Sequence, residues 1–245
     1  MYKKMSELGF TGLEIAPTRI FPKRPYDCIK EAIRWSEELR GCYGFEIPSM
    51  QSIWYGRTES IFGTLEERKK LLAYTHKAID FAVAVGCRNL VFGCPKNRSL
   101  PEGGDSKIAF SFFQRVAEYA ESKNIIIGFE ANPVIYHTNY INNTLQALDL
   151  IKAVSSDAFL LNLDIGTILY NQEDLSELDG NVRYISHVHV SEPDLVALKK
   201  RELHKAIGDR LKKENYVDFI SIEMTRQTKL DIIVEAMNYV KEIFD

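Results

Sequence analysis

The sequence predicts an α/β protein built as a (β/α)8-type barrel, and three observations carry that reading. Short apolar or β-branched runs alternate with longer amphipathic segments from one end of the chain to the other, a rhythm that produces βαβ units and a parallel sheet. Several runs are almost wholly apolar, as in Ile125-Ile126-Ile127, which is how strands buried on both faces read. The polar residues of these runs gather at their C-terminal ends, where a barrel places its chemistry. The competing architecture is an open, doubly wound sheet. No G-x-G-x-x-G follows any run, so the nucleotide-binding signature of that sheet is missing.

The elements follow in order. The chain opens in a helix, with Met1, Met5 and Leu8 on one stripe before Gly9. Strands are expected in residues 11–17, 44–50, 89–93, 125–132, 159–167, 186–192 and 217–224, and helices in 26–39, 65–85, 108–123, 144–154 and 230–244. Within 65–85, Leu72, Thr75, Ala78, Ile79 and Ala82 recur at steps of three and four, the period of one helix face. Gly86 then stands where a C-cap belongs. These seven strands are one fewer than closure needs, and the missing one belongs in front of the opening helix. The expectation is therefore a TIM (β/α)8-type barrel lacking its first strand at the N-terminus, with two unpaired edges. No linker rich in Pro, Gly or Ser divides the chain, so residues 1–245 are expected to form one domain.

Composition narrows the function classes. With 45% hydrophobic and 27% charged residues over 245 positions, the chain is of ordinary globular type and long enough to fold without a disulfide or structural zinc. Lys and Arg number 31 against 34 Asp and Glu, a net charge of -3, which argues against a nucleic-acid partner. Cys28, Cys42, Cys87 and Cys94 form no C-x-x-C and are expected as reduced thiols. No apolar run reaches the ~18–20 residues of a membrane helix, and the N-terminus lacks the apolar core of a secretory signal. A soluble, cytoplasmic protein with no membrane partner is expected.

Four residues stand at the ends of successive runs: Glu130 in IIIGFEANP, Asp164 in LLNLDIGT, His189 in SHVHVSEP and Glu223 in ISIEM. Their separations of 34, 25 and 34 residues are each about one βα unit. Inward-pointing side chains on neighbouring strands ~4.8 Å apart converge at the barrel mouth. Three carboxylates and an imidazole sharing a pocket repel unless a cation compensates them. Such an oxygen-rich set suits Mn²⁺, with Mg²⁺, Co²⁺ or Zn²⁺ as alternatives. The competing account is that each acid is solvated or caps the next helix.

Other residues leave the strand ends. Gln51, Trp54 and Tyr55 are candidate walls of a ligand pocket, or a cover for the barrel mouth. Lys96 and Arg98 follow a strand in GCPKNR and are candidates to pair with a substrate carboxylate or phosphate, or are solvated loop charges. Glu14 and Glu46 interrupt the early strands as possible substrate contacts. His187 alternates with His189 and shares its face one layer deeper. His76 reads as a helix-surface histidine and His137 as a loop histidine.

These segments, together with GFEIPSMQSIWYG, VFGCPKNR and HKAIG, resemble the xylose isomerase-like TIM barrel superfamily, which takes in sugar phosphate isomerases/epimerases and the AP endonuclease family 2. The resemblance spans nearly the whole chain. It implies Glu130, Asp164, His189 and Glu223 as metal ligands and Glu130 and Glu223 as the acid/base pair. The implied activity is isomerisation or epimerisation of a small sugar, sugar phosphate or hydroxy-keto acid through a metal-stabilised enediolate. It also implies a small-molecule partner and a homodimer. One departure is plain. Many relatives carry D-x-x-H on the strand of Asp164, and Thr167 stands in the histidine's place here, as a hydroxyl able to bind a sugar. His204 lies near the site in the family pattern and is a candidate substrate contact, or else a surface loop histidine. The alternatives are an inosose dehydratase-like lyase, a DNA-repair phosphodiesterase and a non-catalytic sugar-binding barrel. The phosphodiesterase is disfavoured, since that chemistry uses three metals and many histidines, and this chain has five.

Overall fold

In the computed structural model, which describes residues 1–244, six parallel strands curl into an incompletely closed barrel wrapped by helices. The order is α1 (Tyr2–Glu7), α2 (Pro17–Ile20), α3 (Ile29–Tyr43), β1 (Ser49–Met50), α4 (Leu65–Val85), β2 (Asn89–Phe92), α5 (Lys107–Ser122) and β3 (Ile126–Phe129). There follow α6 (Thr144–Val154), β4 (Phe159–Asp164), α7 (Ile165–Asn171), β5 (Ile185–Val190), α8 (Glu202–Lys213), β6 (Ile220–Ile222) and α9 (Leu230–Phe244). Strands pair strictly in sequence order, β1 to β6, the signature of repeated βα units winding one way.

Local chemistry sets the boundaries. Thr64 Oγ1 accepts from the Glu67 amide at 3.2 Å, and the Glu67 carboxylate accepts from the Thr64 amide at 2.7 Å. This reciprocal pair satisfies two of the donors that every helix start leaves free. Gly86, at φ 74°, closes α4 in the left-handed conformation. The buried face of α4, from Leu71 and Leu72 through Thr75, Ala78, Ile79 and Ala82 to Val85, packs inward, as its period requires.

The barrel interior is polar beneath the mouth. Asn89 on β2 donates to Ser49 on β1 at 3.0 Å and accepts from Ser186 on β5 at 2.9 Å. Two strands lie between β2 and β5 in the sheet, so this bond spans the curl. Gly128 makes room for it: an added Cβ would sit 3.0 Å from Asn89 Oδ1 and 3.1 Å from Ser186 Oγ. Between β4 and β5 the register shifts at Leu161/Asn162, after which Asn162 faces His187 and Asp164 faces His189. Such an irregularity re-aims side chains, and here it aligns two site residues.

Three expectations need correction. Residues 11–17 form no continuous strand; two isolated parallel bridges, Gly12 to Glu46 and Ile15 to Met50, tie them to the sheet, and Pro17 starts α2. The run 159–167 ends as a strand at Asp164, because that side chain caps α7. Helix α8 lies where no helix was expected. The missing-strand reading survives as geometry. A cavity of about 710 Å³ opens between residues 9–14 and β6, lined by Met5, Leu13, Ile220, Ile222, Met237 and Val240 among others.

Candidate active site

Each central side chain is fixed by the last turn of its strand. The Glu130 amide donates to the Phe92 carbonyl at 3.0 Å, and the Glu223 amide to the Val190 carbonyl at 3.0 Å. These bonds carry the ladders one residue past β3 and β6, so both side chains follow the pleat into the barrel mouth. Gly93 clears the way, since a Cβ there would stand 2.9 Å from Glu130 Oε1.

His189 is the hub. Its Nδ1 lies 3.0 Å from Glu130 Oε2 and 3.2 Å from Glu223 Oε2, and its Nε2 lies 3.0 Å from Glu14 Oε2. Burial alone would strip the imidazole of its proton. The Glu14 and Glu223 charges, with hydrogen bonds to Glu130 and Glu14, outweigh it and hold His189 well above the usual histidine range. Glu14 responds in the opposite sense. Burial raises its pKa, and the charge and hydrogen bond of His189, with His187 behind, bring it down to about 2. His187, pushed down to about 4 by burial, is neutral, bonded to Ser221 Oγ at 2.8 Å one layer deeper.

Amide side chains hold the carboxylates. Glu130 Oε1 accepts from Asn132 Nδ2 at 2.8 Å and Oε2 from Asn162 Nδ2 at 2.7 Å. Gln51 Nε2 donates to Glu223 Oε1 at 2.9 Å and approaches Glu14 Oε2 at 3.4 Å. Gln51 therefore lies among the carboxylates, as a hydrogen-bond donor to Glu223.

Asp164 stands beside this cluster with its oxygens engaged elsewhere. Oδ1 accepts from the Gly166 amide at 3.3 Å and from the Ser191 hydroxyl; Oδ2 accepts from the Thr167 amide at 2.9 Å and Thr167 Oγ1 at 2.7 Å. Burial, then the Glu130 and Glu223 charges, raise its carboxyl to about 7. Four bonds fill the acceptor capacity of a carboxylate.

None of the other expected contacts touches the carboxylates around His189 directly. Thr167 is buried as part of the α7 cap, so its hydroxyl faces Asp164 and the Ala131 carbonyl. Trp54 is a core residue: its indole donates to Thr75 Oγ1 at 2.8 Å and meets the rings of Phe92 and Phe112 edge-on. Tyr55 is 61% exposed, with the Arg19 guanidinium over its ring. Lys96 is exposed on the loop, and Arg98 is fully buried, its Nη2 bonded to the Glu130 carbonyl and Asn132 Oδ1. His204 is buried in α8, 3.0 Å from the Tyr239 hydroxyl. Glu46 points to solvent. His76 stacks on Tyr119 at 3.8 Å, and the His137 carbonyl accepts from Ser99.

The profile of the xylose isomerase-like TIM barrel matches residues 2–243. The chain belongs to this family. No curated protein matches it by sequence, but several solved structures share its fold. D-psicose 3-epimerase from Clostridium cellulolyticum H10, crystallised with D-tagatose, aligns with a TM-score of 0.79 at 15% identity, over 100% of this chain and 92% of that one. The 3-keto-D-glucoside 4-epimerase from E. coli aligns at 0.76 and 17% identity, over 98% and 92%. A family 2 AP endonuclease from Brucella melitensis aligns at 0.72 and 18%, over 98% and 89%.

Glu14 lies at the centre of the site, and Asn132 and Asn162, which are not among the candidates of the sequence, hold Glu130. The signal for the asparagines was alternation, since Asn162 precedes Asp164 by two and Asn132 follows Glu130 by two, positions that share a face.

Proposed function

We propose that this chain is a divalent-metal-dependent isomerase or epimerase of a small sugar, sugar phosphate or hydroxy-keto acid. It moves a proton at a carbon next to a carbonyl. The observation that carries the reading is the approach of Glu130 and Glu223, from opposite sides of β5, to one nitrogen of His189 at 3.0 and 3.2 Å. Two carboxylates held about one point supply a base on one side and an acid on the other. The fold shared with D-psicose 3-epimerase and 3-keto-D-glucoside 4-epimerase supports the same class.

The donor set fits a cation. Glu130, His189 and Glu223 offer ligand atoms within 4.8 Å of one another, an oxygen-rich group suited to Mn²⁺, Mg²⁺ or Co²⁺. His189 turns its far nitrogen to Glu14, the carboxylate partner that orients ligating histidines. Without a cation, the proton on His189 offsets the same negative charge. Asp164 would serve as a fourth ligand only if one of its cap bonds were released. A divalent ion bound there supplies electrostatic stabilisation to charge developing on the substrate's oxygens.

The remaining chemistry belongs to the side chains. One glutamate removes the proton and the other returns one to the opposite face, which inverts the carbon. One glutamate serving two adjacent carbons gives aldose–ketose isomerisation instead. Gln51, Asn132 and Asn162 keep both carboxylates aimed, and partial burial limits stray proton exchange.

Purified protein, Mn²⁺ and either D-psicose or D-tagatose, followed by NMR in deuterated water, tests the reading. Solvent deuterium is expected at the inverted carbon, and Glu130→Gln and Glu223→Gln are each expected to lower kcat by about 10²–10⁴-fold. Full activity in either variant removes that glutamate from the mechanism. A dehydrated product replaces epimerisation with a lyase.

A further inference from the structure

Arg98 is a cation with no accessible surface. Its guanidinium carbon stands 4.8 Å over the Phe129 ring. One nitrogen, Nη2, makes all of its hydrogen bonds, to the Glu130 carbonyl at 2.9 Å and Asn132 Oδ1 at 2.7 Å. Nε and Nη1 are buried without partners among the described residues. The nearby Cys94 thiol is no counter-ion, because burial pushes it up to about 12. A buried cation with two of its three nitrogens unbonded, balanced only by the nearby charge of Glu130, is a poor device for stability, and an apolar side chain of similar length would fill the space at lower cost. Departures of this kind mark functional positions.

What Arg98 achieves follows from its donor-only chemistry. A guanidinium accepts nothing, so the Asn132 amide must turn its oxygen toward Arg98. Its Nδ2 then faces Glu130 Oε1, 2.8 Å away. Asn162, on the other oxygen, has no such anchor: its Oδ1 is unpartnered among the described residues, and its Nδ2 lies 3.2 Å from His189 Nδ1, a second donor when the imidazole carries its proton. The two amides are therefore unequal. We propose that Arg98 is a positioning residue that acts through Asn132, locking Oε1 of Glu130 so that Oε2, the oxygen facing His189, is the one presented to cation and substrate. This rests on the reading of Glu130 given above. It also replaces the expectation that Arg98 meets a substrate anion.

The test compares Arg98→Lys, which still only donates, with Arg98→Met, which fills the space and cannot donate. Two readouts are taken on folded protein: Mn²⁺ affinity by calorimetry, and kcat and KM for D-psicose. Arg98→Met is expected to weaken Mn²⁺ binding and lower kcat by roughly 10–100-fold at nearly unchanged KM, with Arg98→Lys recovering much of both. In an Asn132→Ala background the two Arg98 variants are expected to add little further loss, as for residues acting through one contact. A packing role predicts the reverse order, with the methionine variant equal to or better than the lysine one. That order, wild-type values in both variants, or a change confined to KM overturns the relay. Wild-type protein that binds no Mn²⁺ and turns over no sugar overturns the functional reading itself, and the relay with it. Wild-type binding with no turnover removes the epimerase alone, and the affinity order still decides the relay.

Discussion

The wall built from β3, β4 and β5 and the seam between residues 11–15 and β6 contribute to one site, and they hold their side chains differently. On the wall, Glu130, Asp164 and His189 extend from strands paired on both sides. Along the seam, Leu13 and Ile15 donate toward the β1 side, so Gly12 and Glu14 turn their backbone groups into the gap, as alternate residues of a strand do. Glu14 and Glu223 stand on the two banks. What joins them is the site itself, because Gln51 reaches both carboxylates and His189 touches both. The chemistry of the mouth thus does structural duty where the backbone ladder is interrupted.

The largest expected effect comes from cutting that tie. His189→Ala leaves Glu14, Glu130 and Glu223 facing one another without the imidazole. Breaking a buried charge pair costs about 3–5 kcal/mol, so the melting temperature of metal-free protein is expected to fall by roughly 10 °C. A loss within a degree or two means that the seam is held by its flanking helices instead.

Asp164, on the wall, gives an effect of opposite sign. Its carboxyl is raised from 3.8 to about 7, so the folded chain binds a proton the unfolded chain has released, and stability falls as pH rises between those values. Asp164→Asn removes that titration but sets an amide nitrogen against one of the two backbone donors the carboxyl accepts from. The metal-free variant is therefore expected to lose stability at pH 3 and to recover at pH 8, relative to wild type, by up to about 4 kcal/mol. Denaturant melts at the two pH values check it, and equal effects at both would mean a packing change.

On the seam the sign reverses again. Glu14 is lowered from 4.5 to about 2, so its contribution is complete above 4.5 and lost as pH falls through about 2. That loss amounts to about 3 kcal/mol. Glu14→Gln, which keeps a polar partner for His189, is expected to flatten this acid limb in pH-dependent melts; an unaltered limb assigns it to other carboxylates.

The wall was also the more legible region. Its strands are buried on both faces, so apolar runs announced them, and Glu130 and His189 could be placed from strand ends alone. The run at 159–167 was read too long because Ile165, Gly166 and Thr167 continue it in composition, while the break is made by the Asp164 side chain capping α7. Helix α8 buries His204, Ile207, Gly208 and Leu211, a helical spacing disguised by a histidine and a glycine among many charges. Trp54 and Arg98 misled for a shared reason. Their neighbours in sequence are loop residues, and their burial is made by α4, α5 and Asn132, which only the tertiary fold brings near.

The smallest effect tests how much the two regions yield. Gly128 and Gly12 both face into the barrel, and a Cβ at either meets atoms too closely: Asn89 Oδ1 at 3.0 Å on the wall, the Phe219 ring at 2.8 Å on the seam. By distance alone Gly12→Ala is the worse clash. The surroundings argue otherwise, because Asn89 is bonded to Ser49 and Ser186 and has nowhere to go. Phe219 borders the cavity of about 710 Å³ and can swing into it. Gly128→Ala is expected to cost about 1–3 kcal/mol, the usual penalty of overpacking, and Gly12→Ala less than about 1 kcal/mol, within what an accommodating site absorbs. Chemical denaturation of the two variants side by side reads the difference directly. Equal costs, or a larger one at Gly12, would mean that the seam is packed as rigidly as the wall, and that the carboxylates on its two banks need no tie through His189 to stay in place.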